Sequence, residues 1–196
     1  MQTRAGLRRS SDLESDEQLM ERVQGGEVEA FDALFERYRR RLFGFLFRRC
    51  DDVAGAEDLF QETWLRIVRA RKRFDPQRRF STWLFQIANN LCRDRARRLA
   101  VDTRKSEALQ ERVRARSASA ASRGTRSPEL TRALPAELRR SLAALPDRLQ
   151  EVLVLRYYHD RSEHEIAEIV GIPRGTVKSR LHTAVKTLRA GIQRDA

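Results

Sequence analysis

Three sets of polar residues have types and spacings suited to recognition chemistry. Gln86, Asn89, Asn90, Arg93 and Arg97 recur every three or four positions, so a helix puts them in one row, opposite Leu84, Ile87, Ala88 and Leu91. Amides pair bidentately with adenine, and guanidinium groups bind guanine or phosphate, so this row suits base edges and DNA backbone. Just before it, Phe74, Arg78, Arg79 and Trp83 crowd a short segment around Asp75-Pro76, which offers rings for stacking on an unpaired base. A second set, Arg174, Thr176, Lys178, Ser179, Arg180, His182 and Lys186, lies on or beside one face of a later helix. A third set, Asp58, Gln61, Glu62 and Leu65, is acidic with an apolar residue among the acids. In a basic chain such a stripe fits a protein partner better than DNA, although a plain solvated face has the same pattern.

The elements that position these sets are helical. Ser15-Asp16 opens a brief helix that stops at Gly25-Gly26. A long one follows from Glu27 to about Cys50, with Phe31, Leu34, Phe35, Tyr38 and Leu42 on one side and an apolar centre at Leu42–Phe47. Asp51-Asp52 caps the next, Val53–Ala70, which points Phe60, Trp64, Ile67 and Val68 inward. The helix bearing the amide–guanidinium row begins at Phe80. After Arg98 the composition changes, and the Ser/Ala/Arg run Arg116–Pro128 has little to bury. Residues 100–127 are expected to be a flexible linker, with Lys105–Arg116 able to form a frayed helix within it; it reaches at most roughly 90–100 Å extended and averages roughly 30 Å as a coil. A second helical region follows Pro128, with Leu134, Leu138, Leu142 and Leu145 at helical spacing and a new helix from Pro146-Asp147. Ser162 with Glu165 forms a capping-box pattern, Gly171 supplies a turn, and Pro173 precedes a helix whose Val177, Leu181, Ala184 and Leu188 face inward. That is a helix-turn-helix, whose second helix suits a major groove. The expected fold is all-α: a loose tail (1–14), a helical domain (15–99), the linker (100–127) and a helix-turn-helix domain (128–196).

Composition narrows the class. Forty Lys+Arg against 28 Asp+Glu give the 196-residue chain a net charge of +12, which calls for a polyanion partner, and nucleic acid before a membrane surface. No run of apolar residues is long enough to span a bilayer, so a soluble cytoplasmic protein without membrane insertion is expected. Cys50 and Cys92 are far apart in the chain with no metal-ligand spacing, and read as ordinary thiols. His159, His164 and His182 have no acidic or Cys partners at ligand spacing. No metal, no cofactor and no catalytic set is expected, which disfavours a nucleic-acid enzyme. A stand-alone helix-turn-helix regulator leaves Asp58–Arg98 without a task.

Three strings in this order, AEDLFQETWLRI (56–67), FDPQRRFSTWLFQIANNLCRD (74–94) and IAEIVGIPRGTVKSRLHTAVKTLR (166–189), resemble the bacterial RNA polymerase sigma factors of the small extracytoplasmic-function (ECF) group. The resemblance spans about Asp16–Arg98 and Pro128–Ile192. It implies a promoter-specificity subunit that binds polymerase core through the beta-prime clamp and the beta flap, with Asp58, Gln61, Glu62 and Leu65 as the clamp-docking part. It implies that the Arg71–Arg98 segment captures and melts the −10 element of promoter DNA, and that the helix-turn-helix reads the −35 element. It also implies silencing by a separate anti-sigma factor. Two elements about two helical turns apart lie roughly 70 Å from each other, within reach of the linker.

Overall fold

The structure is a computed structural model, and it describes residues 14–50, 52–114, 141, 142 and 144–195. Seven α-helices are named here in chain order: α1 (Asp16–Gln24), α2 (Val28–Cys50), α3 (Val53–Ala70), α4 (Phe80–Arg114), α5 (Asp147–Tyr157), α6 (Glu163–Val170) and α7 (Arg174–Asp195). One 3-10 turn, Arg71–Arg73, follows α3, and there is no strand among the described residues.

Local chemistry fixes most of the boundaries. Ser15 Oγ accepts from the Gln18 N–H at 3.1 Å while the Gln18 side chain accepts from the Ser15 N–H at 2.9 Å, closing the first capping box. Asp52 caps α3 through the Gly55 N–H. Ser162 and Glu165 make the second box, and α6 ends at Gly171 in the left-handed region, φ +72°, where only glycine sits without strain. The start of α4 is held from a distance, because Glu17 on α1 accepts from the Phe80 N–H at 3.0 Å.

The core of the N-terminal helices forms around α2, whose Leu42, Phe45 and Leu46 are completely buried. Phe31, Phe35, Phe60 and Trp64 add an aromatic cluster in which Phe35 meets Trp64 at 5.2 Å and Phe60 at 5.7 Å. On α3 the inward face is Leu59, Thr63, Trp64 and Ile67, with Phe60 half-buried. Val68, expected inside, is 37% exposed, because the apolar stripe of a 3.6-residue helix ends one position earlier.

One expectation about organisation changes. Helix α4 does not stop at residue 99 but continues to Arg114, fifteen residues into the span read as linker. Lys, Glu, Leu and Arg propagate a helix well. The Leu134 and Leu138 pattern lies outside the described residues. The relative placement of the two domains, which the sequence leaves open, is also defined: the C-terminal helices pack directly on the N-terminal ones. Val152, Val154, Leu155, Ile166 and Val170 belong to the same apolar cluster as Phe45, Leu84 and Phe85. His159 lies 5.6 Å from the Phe45 ring and 5.0 Å from the Phe85 ring. A smaller cluster of Leu145, Leu149, Leu153 and Ala184 joins α5 to α7.

Candidate nucleic-acid and polymerase interfaces

The recognition helix stands as its spacing requires. Val177 and Ala184 are fully buried against α5 and α6, and Leu181 and Leu188 are half-buried. The opposite side leaves Arg174, Gly175, Lys178, Ser179, His182 and Lys186 exposed, with Thr176 at its edge. Three hydroxyls along it turn back onto the helix: Ser179 to the Thr176 carbonyl, Thr183 to Ser179 and Thr187 to Thr183, each at 2.9–3.0 Å. The charged and imidazole groups are thus the ones that project. Arg180 departs from the expectation. It turns inward and donates from Nη1 to Glu151 Oε1 at 3.0 Å.

The amide–guanidinium row on α4 is divided. Asn90 and Arg97 are exposed and Gln86 is half-exposed, and Arg78 and Arg79 project from the preceding loop. Asn89 is not on an open face. It is 0% exposed, and its Nδ2 donates to Glu151 Oε2 at 3.4 Å. Arg93 is covered too. Its Nε and Nη2 donate to the two Glu151 oxygens at 3.0 and 2.9 Å, and its Nη1 donates to the Val170 carbonyl at 2.9 Å. A carboxylate from the second domain satisfies the donors expected to meet nucleic acid, because a guanidinium takes either anion with the same fork geometry.

Phe74 is corrected as well. Only 4% of it is exposed, and it packs between Trp83 at 5.1 Å and Phe80 at 6.0 Å. Gln24 on α1 pins this loop by donating to the carbonyls of Arg71 and Phe74 at 2.9 and 2.8 Å. In this conformation Phe74 is a support for the half-exposed Trp83 and not itself a stacking surface. The loop faces α6 across a cleft of about 480 Å³ lined by Arg78, Arg79, Trp83, His164, Glu165 and Glu168. Arg79 spans it to Glu165 at 3.2 Å.

On α3, Asp58 and Gln61 are exposed, Leu65 is 48% exposed, and Glu62 is half-exposed, all on the side away from the core. Glu62 pairs with Arg66 one turn on at 2.8 Å, which holds its carboxyl below the usual range. Both partners are open to solvent, so the pair is weak and free to exchange.

Sequence reasoning missed the groups that join the two halves. Glu151, polar within an apolar stretch, is 1% exposed, and Arg161, in the polar segment before α6, is 7% exposed. Arg161 donates to Ser81 Oγ at 3.1 Å and to Glu165 Oε1 at 3.0 Å. Burial alone pushes the Glu165 carboxyl up, but the Ser162 N–H and hydroxyl and then Arg161 outweigh it and hold the group down at about 2. Burial, reinforced by Arg48, Arg41 and Arg161, lowers His159 to about 3, so it stays neutral between its aromatic neighbours. His164 does have an acid one turn on, Glu168 at 3.7 Å. Cys50 and Cys92 meet in space. The hydrogen bond between them lowers Cys50 and raises Cys92, which burial raises further. No group of three metal-ligating side chains occurs among the described residues, and no described helix is long and apolar enough to cross a membrane.

These features coincide with known proteins. The family model described as Sigma-70 region 2 matches residues 34–101, and that described as Sigma-70, region 4 matches residues 141–190. The RNA polymerase sigma-H factor of Pseudomonas aeruginosa is 31% identical over 183 residues, covering 92% of this chain and 95% of that protein. The ECF RNA polymerase sigma factor SigW of Bacillus subtilis is 32% identical over 183 residues, 87% of this chain and 92% of its own length. Among solved structures, the sigma factor RpoE of Bartonella quintana in complex with the anti-sigma factor NepR shares the fold, with a TM-score of 0.70 at 21% identity over 86% of this chain and all of that one. CnrH in complex with the cytosolic domain of CnrY does so with a TM-score of 0.67 at 24% identity over 93% of this chain and all of that one. The helix-turn-helix and the region 2 bundle therefore define a transcription-initiation factor. The chain belongs to the ECF group of RNA polymerase sigma factors, the promoter-specificity subunits of transcription initiation.

Proposed function

We propose that the chain divides its work among three surfaces. Asp58, Gln61, Glu62 and Leu65 on α3 dock on the beta-prime clamp of core polymerase, and the C-terminal domain adds a contact to the beta flap. The loop and helix from Arg78 through Trp83, Gln86, Asn90 and Arg97 trap unpaired bases of the −10 element, joined by Asn89 and Arg93 once the domains part. Arg174, Thr176, Lys178, Ser179, His182 and Lys186 read the −35 element as duplex. Residues 15–99 and 128–196 are the units carrying these tasks. The chain performs no bond chemistry of its own, and it works in the cytoplasm, where catalysis belongs to the polymerase. An anti-sigma factor, like the NepR found with the Bartonella quintana protein, is the partner that would silence it.

The observation that carries this reading is the coexistence of two exposed surfaces of opposite character in one basic chain. The α7 row is cationic and hydroxylic, and the α3 stripe is acidic with an exposed leucine at its centre. A DNA-binding regulator needs only the first. Charge reversal of the second tests the division. Asp58→Lys with Glu62→Lys should weaken binding to purified core by about tenfold to a hundredfold, each factor of ten being roughly 1.4 kcal/mol. The fold should survive, since neither side chain is in the core. Undiminished binding to core would remove the stripe from the mechanism.

A further inference from the structure

One carboxylate joins both DNA-reading helices. Glu151, on α5, is almost wholly buried, and its two oxygens accept four hydrogen bonds. Three come from Asn89 and Arg93 on α4 and one from Arg180 on α7. Two guanidinium groups around one acid leave a local excess of positive charge, so the site is an anion pocket rather than a neutral pair. The geometry at Arg93 is the two-pronged fork that the same side chain presents to a phosphate. Burying a carboxylate is costly unless it is fully paired, so this contact is maintained only while all three partners stay in place. The remaining polar face of α7, Arg174, Lys178, His182 and Lys186, is left open in the same conformation.

We propose that Glu151 is an intramolecular latch that occupies the anion site of Asn89, Arg93 and Arg180 in place of a DNA phosphodiester, holding the free chain closed and unable to take single-stranded DNA on α4. The inference rests on the reading of α4 as the strand-trapping helix. It adds that the free chain controls this surface by itself, with duplex recognition by α7 left available. Separation of the domains exchanges the carboxylate for phosphates at the same donors. Around the latch, Arg161 to Ser81, Arg79 to Glu165 and Arg49 to Asp147 (2.6 Å) hold the same interface. They do not touch the Glu151 site, so the latch is separable from the rest of the closure.

The test uses the full chain without polymerase and a short fluorescein-labelled single-stranded oligonucleotide. Glu151→Gln keeps the size of the side chain and removes its charge. It should bind the oligonucleotide on the order of tenfold more tightly than the wild type, because the apparent affinity rises with the fraction of open chain. Its radius of gyration by small-angle scattering should also increase. Adding Arg93→Ala to Glu151→Gln should abolish the gain. A folded Glu151→Gln chain with wild-type affinity and wild-type radius would overturn the latch. Should that variant not fold, the wild type decides: saturation with the oligonucleotide must expand the chain, and binding without expansion overturns the proposal. The underlying reading fails separately. If Asn90→Ala and Arg97→Ala leave open-complex formation with core untouched, α4 is not the strand-trapping helix. If they impair it while Glu151→Gln changes nothing in the free chain, the latch alone is wrong.

Discussion

Helices α4 and α7 both carry rows of polar and cationic side chains, yet one is partly covered and the other is open. On α7 the row Arg174, Lys178, Ser179, His182 and Lys186 faces solvent along the helix. On α4, Asn89 and Arg93 are spent on Glu151, while Asn90 and Arg97 stay exposed and Gln86 half-exposed. A helical period places residues on a face, but it does not say what that face meets. Water, a phosphate and a carboxylate from a second domain all satisfy the same donors. The difference between the two helices therefore comes from tertiary packing, and α5 and α6 supply it.

The largest effect should come from the apolar seam that makes the comparison possible. Phe85 is fully buried, 5.3 Å from Phe45 and 5.0 Å from His159, where the two halves of the chain meet. Phe85→Ala should cost about 3–5 kcal/mol in urea unfolding, the usual cost of deleting a buried ring. It should also uncover α4 to hydrogen exchange near Asn89. A loss below about 1 kcal/mol would mean that the seam is not a packed core.

A smaller effect separates the open helix from the covered one. Lys178→Ala or Arg174→Ala should weaken binding of holoenzyme to duplex carrying the −35 element by about 1–3 kcal/mol per base contact, or more evenly across sequences for a phosphate contact. Gel-shift competition between specific and scrambled duplex distinguishes the two. Thr183→Ala, whose hydroxyl already bonds the Ser179 carbonyl, should leave that competition unchanged.

The smallest effect, counted over a single pH unit, is a pH slope. His159 titrates at about 3 when folded, against 6.5 when free, because burial and the neighbouring arginines oppose its charge. A depressed histidine binds its proton more readily in the unfolded chain. Stability is therefore complete above about pH 6.5 and falls as the pH drops from there toward 3, by at most about 1.4 kcal/mol per pH unit. His159→Phe should flatten this part of the pH profile in urea titrations. A profile equally steep in the variant would assign the slope to other groups.

Much of this architecture was legible from residues that act on their near neighbours. Ser15, Asp52 and Ser162 mark helix starts because each side chain satisfies a backbone N–H within its own turn. Gly171 marks the helix-turn-helix bend because it needs a positive φ. What the sequence withheld depends on partners distant in the chain. Phe74 stands beside arginines in a loop, so it reads as a stacking ring, and only Phe80, Trp83 and the Gln24 clamp show it to be a buried strut. Glu151 sits among leucines and valines with no local sign that its partners lie 58 and 62 residues earlier. Its presence within that apolar stretch, where an unpaired charge is rarely buried, was the available hint. Cys50 and Cys92 likewise become neighbours only through the packing of α2 on α4.

Run-off transcription with purified core, on a promoter pre-melted over its −10 element, distinguishes reading of duplex by α7 from reading of parted strands by α4. Lys178→Ala should still reduce promoter selection on that template, because its target remains double-stranded. Asn90→Ala should be partly rescued in rate, because the unpairing it assists has already been done. Rescue of Lys178→Ala with no change in Asn90→Ala would contradict the account and exchange the roles of the two helices.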